Sequence, residues 1–462
     1  MTEEMKGQGA SAEYLGHFGR LIGDKRTGTT FGEIVRGIIN AGSLVCQQIA
    51  AHSPVLSAVK DGAQRVIRFA KGTSTKRSEV DAEHLVEALC ERGVEQLAKS
   101  ETDELWLIAD PSDLRKPYAN QMPDMMQVRD LDGKLVSGYR TLNVLGVTPG
   151  RRGILYHRLF SSEAEDFVSE PLEVQRGLKQ VSQAVRPLKE RMAVSWIVDC
   201  GFDDVAVWRT IWEQQEHVVC RISHTERLVA YQTAAGKWRT GDVAAARWHL
   251  RPMASARTEM VVRRGAQKKA KRQRVTAEIR ACPLRLTYDT HVRRVGTGET
   301  VQKELWLVEV TVPRSNLKPW LLITDWPVED AESAVRIFRM YRQRWAVEDS
   351  FKFTKDVLGW EEVQLLDLKG IRTLVALAWV AAGFLYELGV TLEWEEVRLL
   401  ARLGGWAERK DNPPGKIVLT RGLRRLMDML MTQAFLERYR LEHGALPPRI
   451  AAWIGESPPL EL

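Results

Sequence analysis

The stretch Tyr341-Arg342-Gln343-Arg344-Trp345-Ala346-Val347-Glu348, with Lys355 seven residues further on, sets out the pattern Y-x2-R-x3-E-x6-K. At about 100° per residue on a helix, Tyr341, Arg344, Glu348 and Lys355 fall within a stripe roughly 60° wide and share one face. Phe338, Trp345 and Phe351 edge that face, where small or charged residues would edge an ordinary solvated one. One carboxylate among cations suits a metal-assisted phosphate site, although exposed helices also carry ion pairs at such spacings. The pattern predicts one helix beginning after Trp326-Pro327, with Glu329, Asp330 and Glu332 in its first turns.

Upstream, Leu105-Trp106-Leu107-Ile108 is a continuous apolar run of the kind that forms a strand buried on both faces, and it ends in Ala109-Asp110. Lys134 to Val147 and Gly153 to Phe160, on either side of Pro149-Gly150, read as an antiparallel pair. Leu172 to Arg191 reads as a helix and Val194 to Val198 as a second buried strand, ending in Asp199. Asp203 to Gln215 follows as a helix, His217 to Ile222 as a strand, and residues 225 to 325 as a β-rich, irregular region. That succession, closed by a late helix with a carboxylate, is the element order of a ribonuclease H-like α/β domain with a β-rich insertion before its last helix. In such a sheet the first and fourth strands are neighbours, so Asp110 and Asp199 are expected side by side, with Glu348 brought in by the late helix. Either aspartate alone reads more readily as a turn or helix cap than as a ligand. Asp203 and Asp204 read as caps, and Asp349 as facing away from the stripe. Three grouped carboxylates suit Mg²⁺, with Mn²⁺ able to substitute, and not zinc. Two such ions can activate a water or a 3′-hydroxyl and stabilise the leaving oxygen of a phosphodiester.

A chain of 462 residues implies two to four domains. The boundaries read as a helical, basic N-terminal region expected to bind DNA (1–95), a catalytic core (96–225), the β-rich insertion (226–325), the rest of the core (326–375) and a helical C-terminal region suited to core packing or dimerisation (376–462). The excess of 67 Lys and Arg over 60 Asp and Glu favours a polyanionic partner. Arg263 to Arg274 holds seven Lys or Arg and no acid, which reads as a solvated loop able to contact a DNA backbone. The five cysteines form no C-x-x-C pair, so neither a zinc ribbon nor a disulfide framework is legible. The acidic start Met1-Thr2-Glu3-Glu4 is unlike a signal peptide, and the apolar stretch Thr373 to Tyr386 reads as a core helix too short to span a bilayer. No membrane partner is expected, and the compartment reads as a reducing cytoplasm.

With these residues in place the chain resembles a DDE transposase of bacterial insertion sequences, in the cut-and-paste group marked by a Tyr-Arg-Glu-Lys signature. Tyr341, Arg344, Glu348 and Lys355 match the signature at every spacing, and Asp110 and Asp199 match the first two catalytic acids. The resemblance covers about residues 100 to 375. It implies that Asp110, Asp199 and Glu348 hold the metals, that Arg344 and Lys355 bind phosphates, and that Tyr341 hydrogen-bonds the same backbone. It implies a base-stacking tryptophan in the insertion, where Trp320 stands, with Trp306 and Trp326 as competitors. Within the basic run, Arg263, Arg264, Lys268, Lys269, Lys271 and Arg272 are then expected on DNA. The expected partners are double-stranded DNA, as transposon ends and target, and a second copy of the chain in a synaptic dimer. A ribonuclease H-like nuclease without transposition and an inactive, domesticated DNA-binding protein are the alternatives. The intact acid triad argues against the second.

Overall fold

Alternating runs rich in Val, Ile and Leu build one twelve-stranded sheet among the described residues. Its strands are β1 (Glu104–Arg115), β2 (Met126–Arg129), β3 (Leu135–Thr148), β4 (Arg151–Phe160), β5 (Ala193–Val198), β6 (His217–Arg221), β7 (Leu228–Gln232), β8 (Trp238–Asp242), β9 (Arg251–Val262), β10 (Lys271–Asp289), β11 (Thr300–Thr311) and β12 (Trp320–Thr324). The order is β2-β3-β1-β5-β6-β12-β11-β10-β7-β8, with β4 on β3 and β9 on β10. The computed structural model describes residues 12–53, 58–73, 78–119, 121–130, 132–262, 271–289, 300–408 and 413–455. The chain divides into two units, one of Cys90–Arg115 and Asp124–Phe351, the other of Met1–Leu89, Lys116–Pro123 and Lys352–Leu462.

The sheet belongs to the first unit. β5 runs parallel to both β1 and β6, whereas β3 is antiparallel to β1 and to β4. The run β4-β3-β1-β5-β6 is the order expected of a ribonuclease H-like sheet. Pro149-Gly150 makes the β3–β4 turn, where Gly150 adopts φ 79°, a conformation open to glycine at little cost. Helix α1 (Glu170–Ala184) starts at Ser169, whose hydroxyl accepts from the Leu172 N–H at 3.4 Å. It stops short of the expected Arg191 because Pro187 cannot continue it, and a short 3₁₀ turn over Arg186–Leu188 follows. Helix α2 (Val205–Glu213) is capped by Asp204, whose carboxylate accepts from the Ala206 N–H at 2.7 Å. The second predicted cap, Asp203, instead lies buried and accepts from the Ser223 and His224 N–H groups while pairing with Arg227. Leu178 and Val181 of α1 and Trp208 and Ile211 of α2 pack with Leu105, Leu107, Ala109, Trp196 and Val198 in one core on one face of the sheet.

Two expected boundaries are corrected. β1 does not end at Asp110, because β3 continues to pair with it as far as Arg115, so Asp110 lies mid-strand opposite Asn143. The single late helix is two, α3 (Ala331–Arg342) and α4 (Trp345–Leu358). Around Gln343 and Arg344 the hydrogen bonds run three residues back, from Arg344 N to Tyr341 O and from Val347 N to Arg344 O, and this tight turn interrupts the helix. Asp330 opens α3 in a reciprocal capping box with Ser333.

The second unit is helical. Lys25–Ala41, Cys46–Ala51, Val59–Lys71 and Leu368–Thr391 bury Phe31, Ile34, Ile38, Ile49, Leu374, Leu377 and Trp379. The stretch expected to be too short for a bilayer is part of Leu368–Thr391, a 24-residue helix long and apolar enough by length and composition to cross one. It outgrows the apolar stretch because it already starts at Leu368, five residues earlier, where Asp367 caps it by accepting from the Gly370 N–H at 2.7 Å. The most apolar window of that helix is 72% buried, as a core helix would be. All five cysteines are free.

Candidate active site

Val198 pairs with Ala109 across the parallel β1–β5 ladder, so the residues that follow each of them, Asp199 and Asp110, are neighbours at the carboxyl end of β5. Side chains alternate along β1. Leu105, Leu107 and Ala109 enter the core under α1 and α2, and Asp110 points to the opposite face. Asp199 also has the humbler role foreseen for it, since its carboxylate accepts from the Cys200 N–H at 2.8 Å and starts a 3₁₀ turn.

The interruption between α3 and α4 sets Arg344 onto these acids. Its Nη1 lies 3.5 Å from Asp199 Oδ2 and 3.9 Å from Asp110 Oδ2, and its Nη2 donates to Glu348 Oε1. Tyr341, on the last turn of α3, donates its hydroxyl to Asp199 Oδ1 at 3.3 Å. Arg221 Nη1 stands 4.0 Å from the same oxygen. Three carboxylates from β1, the end of β5 and α4 thus meet one guanidinium, and Glu348 is the most exposed of them at 46%.

The electrostatics follow from that placement. Burial first pushes the Asp110 carboxyl up to about 7, with Glu348 and Asp199 adding to the effect and Arg344 opposing it. Burial works against the charge on Arg344, but Asp199 and Glu348 outweigh it and its pKa ends above the usual value. Burial likewise raises the Tyr341 phenol, helped by the charge on Asp199, so that it serves as a hydrogen-bond donor and not as a base. Oxygen donors of this kind fit a hard divalent cation. In the present arrangement a guanidinium supplies the positive charge, and among the described residues no three His, Cys, Asp or Glu side chains are gathered closely enough to hold a metal ion.

Lys355 lies in the other unit, where its Nζ pairs with Glu361 Oε1 at 3.0 Å and sits 5.5 Å from the Trp360 ring. Trp320 is buried, 7% exposed, with ring centroids 5.3 Å from Tyr341, 6.1 Å from Phe338 and 5.2 Å from Trp345. Trp345, next to Arg344, is 40% exposed. Trp326 stacks on His217 at 3.7 Å beneath the Arg336 guanidinium, and its Nε1 donates to Ser195 Oγ at 2.9 Å. Trp306 pairs with Thr324 between β11 and β12.

Arg263, Arg264, Lys268 and Lys269 lie outside the described residues. Lys271 and Arg272 open β10, which is paired with β9, so the end of the basic run is strand and not loop. Arg272 bonds Glu259 at 3.0 Å and is 76% exposed. Sequence reading passed over Arg221 and the polar neighbours of Asp110 on β3 and β4, and gave Trp345 only as an edge of the helical face. For those neighbours the only hint was Asn143 and His157 standing beside Leu142, Val144 and Tyr156.

Residues 176–382 match the family described as Transposase DDE domain. This stretch contains Asp199, Tyr341, Arg344, Glu348 and Lys355 and begins after Asp110, and the match supports a DDE transposase. No curated protein matches the chain. Among solved structures, a cryo-EM structure of a piggyBac transposase synaptic complex with hairpin DNA is similar at 13% identity and a TM-score of 0.38. The likeness covers 79% of this chain and 59% of that one, so the chain spans about three-fifths of the length of the structure it matches.

Proposed function

We propose that this protein is a cut-and-paste transposase of a bacterial insertion sequence, with Asp110, Asp199 and Glu348 as its catalytic acids on a ribonuclease H-like core. The observation that carries the reading is the convergence of those acids, from three separated segments, on Arg344 and Tyr341. Nothing in folding requires three carboxylates to meet beside the carboxyl end of one interior strand, and their mutual repulsion opposes it.

Asp110, Asp199 and Glu348 would hold Mg²⁺, or Mn²⁺ in its place. When bound, the metal supplies activation of a water or 3′-hydroxyl and charge neutralisation at the phosphodiester. The chain's own contribution is orientation. Tyr341 fixes the rotamer of Asp199 through its hydroxyl. Arg344 offers a planar fork suited to phosphate once its carboxylates are otherwise neutralised. Lys355 is a further phosphate-binding residue, Trp320 the candidate partner of a flipped base although its ring is buried in this arrangement, and the basic run from Arg263 through Arg272 a grip on DNA backbone. The products would be nicks, hairpin ends and strand-transfer joints, made by a dimer holding two DNA ends.

A cleavage assay on DNA carrying the element's own inverted repeats tests this. Nicks, hairpins and joined products are expected in Mg²⁺, and Asp110→Ala, Asp199→Ala and Glu348→Ala should each abolish cleavage while end binding persists. Nicks without hairpins or joints would favour a plain nuclease. Binding without any cleavage would favour an inactive scaffold.

A further inference from the structure

Behind Asp110 lies a row of buried polar side chains that the chemistry above does not use. Asp110 pairs with Asn143 between β1 and β3, and Asn143 pairs with His157 between β3 and β4, so all three project from the same face of the sheet. Asn143 is 3% exposed and His157 is 6% exposed. Asn143 Oδ1 lies 2.7 Å from His157 Nδ1, and Asn143 Nδ2 donates to Thr141 Oγ1 at 2.9 Å. The Thr141 hydroxyl donates to the Ser112 carbonyl on β1 at 3.2 Å. The row therefore reaches back to the backbone two residues beyond Asp110.

Burying an amide and an imidazole in strands otherwise filled by Leu142, Val144 and Tyr156 is unfavourable unless the groups are satisfied, and a satisfied network fixes side-chain orientation. Burial also pushes His157 down to about 3, so it stays neutral and its Nδ1–H can donate to Asn143. That bond, with the one to Thr141, holds the amide in one orientation. An asparagine amide has two N–H donors and Thr141 takes one. Directly opposed residues on one sheet face have Cβ atoms about 5 Å apart, which leaves the second N–H to turn to the Asp110 carboxylate, a bond that is not made in the arrangement described.

We propose that Asn143, held by His157 and Thr141, is a positioning residue that orients the Asp110 carboxylate for cation binding. This rests on the reading of Asp110 as a metal ligand. Partners that hold a ligand in place characteristically change metal affinity by tenfold or more when lost.

The test is Mn²⁺ titration of the full chain by calorimetry, with thermal unfolding recorded for each variant. Asn143→Leu keeps the volume and removes the donors, and it should weaken Mn²⁺ binding by about tenfold or more. Thr141→Val breaks one of the two bonds that hold the amide but leaves its N–H donors in place, so it should weaken Mn²⁺ binding clearly less than Asn143→Leu does, whatever its effect on melting. Should Asn143→Leu not fold, Asn143→Ser, too short to reach Asp110, is held to the same criterion. Asp110→Asn serves as the reference. If it loses Mn²⁺ while the Asn143 variants bind normally, or if Thr141→Val loses as much affinity as they do, the positioning role is overturned and the metal reading stands. If Asp110→Asn binds Mn²⁺ as wild type does, both fall.

Discussion

Arg344 Nη1 lies 3.5 Å from Asp199 Oδ2, and the same guanidinium reaches Asp110 and Glu348. Arg344 is 7% exposed and its Nε has no hydrogen-bond partner among the described residues. The arginine therefore neutralises the acids at the expense of its own hydration, and the same carboxylates are the ones a divalent cation would need. Guanidinium and metal compete for one patch of negative charge.

Arg344→Ala should accordingly destabilise the metal-free protein, by about 1 to 3 kcal/mol given that its partners are themselves partly exposed. Mn²⁺ should recover more of the melting temperature in this variant than it adds to wild type, because binding stabilises by mass action and meets no competitor. Differential scanning fluorimetry with and without Mn²⁺ checks both parts. An equal metal-induced rise in the two proteins would show that Arg344 does not occupy the cation's place.

A second expectation concerns pH. Burial raises the folded carboxyl of Asp110 from its ordinary 3.8 to about 7. For an acid so raised, the folded state binds the extra proton between these values, so stability falls as pH rises through the window and the full penalty applies above it. The gap corresponds to at most about 4 kcal/mol, with the opposing pull of Arg344 already contained in it. Asp110→Asn should therefore melt above wild type at pH 8, with the difference shrinking toward pH 5. A difference independent of pH would place the ordinary value on Asp110 after all.

The basic run makes a third. Replacing Lys268, Lys269, Lys271 and Arg272 together by Ala should weaken binding to every DNA sequence and flatten the salt dependence, since phosphate contacts release counterions. Arg272 is expected to contribute least, because Glu259 already holds it at 3.0 Å. An unchanged salt slope would mark the run as solvated surface.

How much of this was legible in the sequence depended on whether local pattern or distant pairing decided the outcome. The apolar run before Asp110, the strand before Asp199 and the β3–β4 pair are written in short-range periodicity, and their adjacency followed from element order. The extension of β1 past Pro111 was hidden because it depends on β3 lying alongside, a long-range fact. The turn at Gln343-Arg344 was hidden because its residues are good helix formers. Helical spacing put Tyr341, Arg344 and Glu348 on one stripe, and they do meet, but across a break between two helices. The row Asp110, Asn143, His157 could not be assembled from the sequence even though two of its members stand out there, since register between three strands is not encoded in any one of them.

The last prediction concerns Trp320. On sequence it stood as the stacking surface for a flipped base, yet its ring is packed among Phe338, Tyr341 and Trp345 and only 7% exposed. Trp320→Ala should first open a cavity and cost about 3 to 5 kcal/mol of stability. It should also loosen Tyr341, and with it the hydrogen bond to Asp199. Trp320→Phe, which retains most of the packing, separates the two roles. If Trp320 only supports the core, Trp320→Phe should restore both melting temperature and nicking, with hairpin yield following the nick. If the ring also carries a base, Trp320→Phe should regain stability and nicking while hairpin yield stays low, because base stacking is worth about 1 to 3 kcal/mol and favours the larger ring. Trp326→Phe is the control, since Trp326 already stacks on His217 and bonds Ser195. A fall in hairpin yield there equal to that of Trp320→Phe would remove Trp320 from the hairpin step.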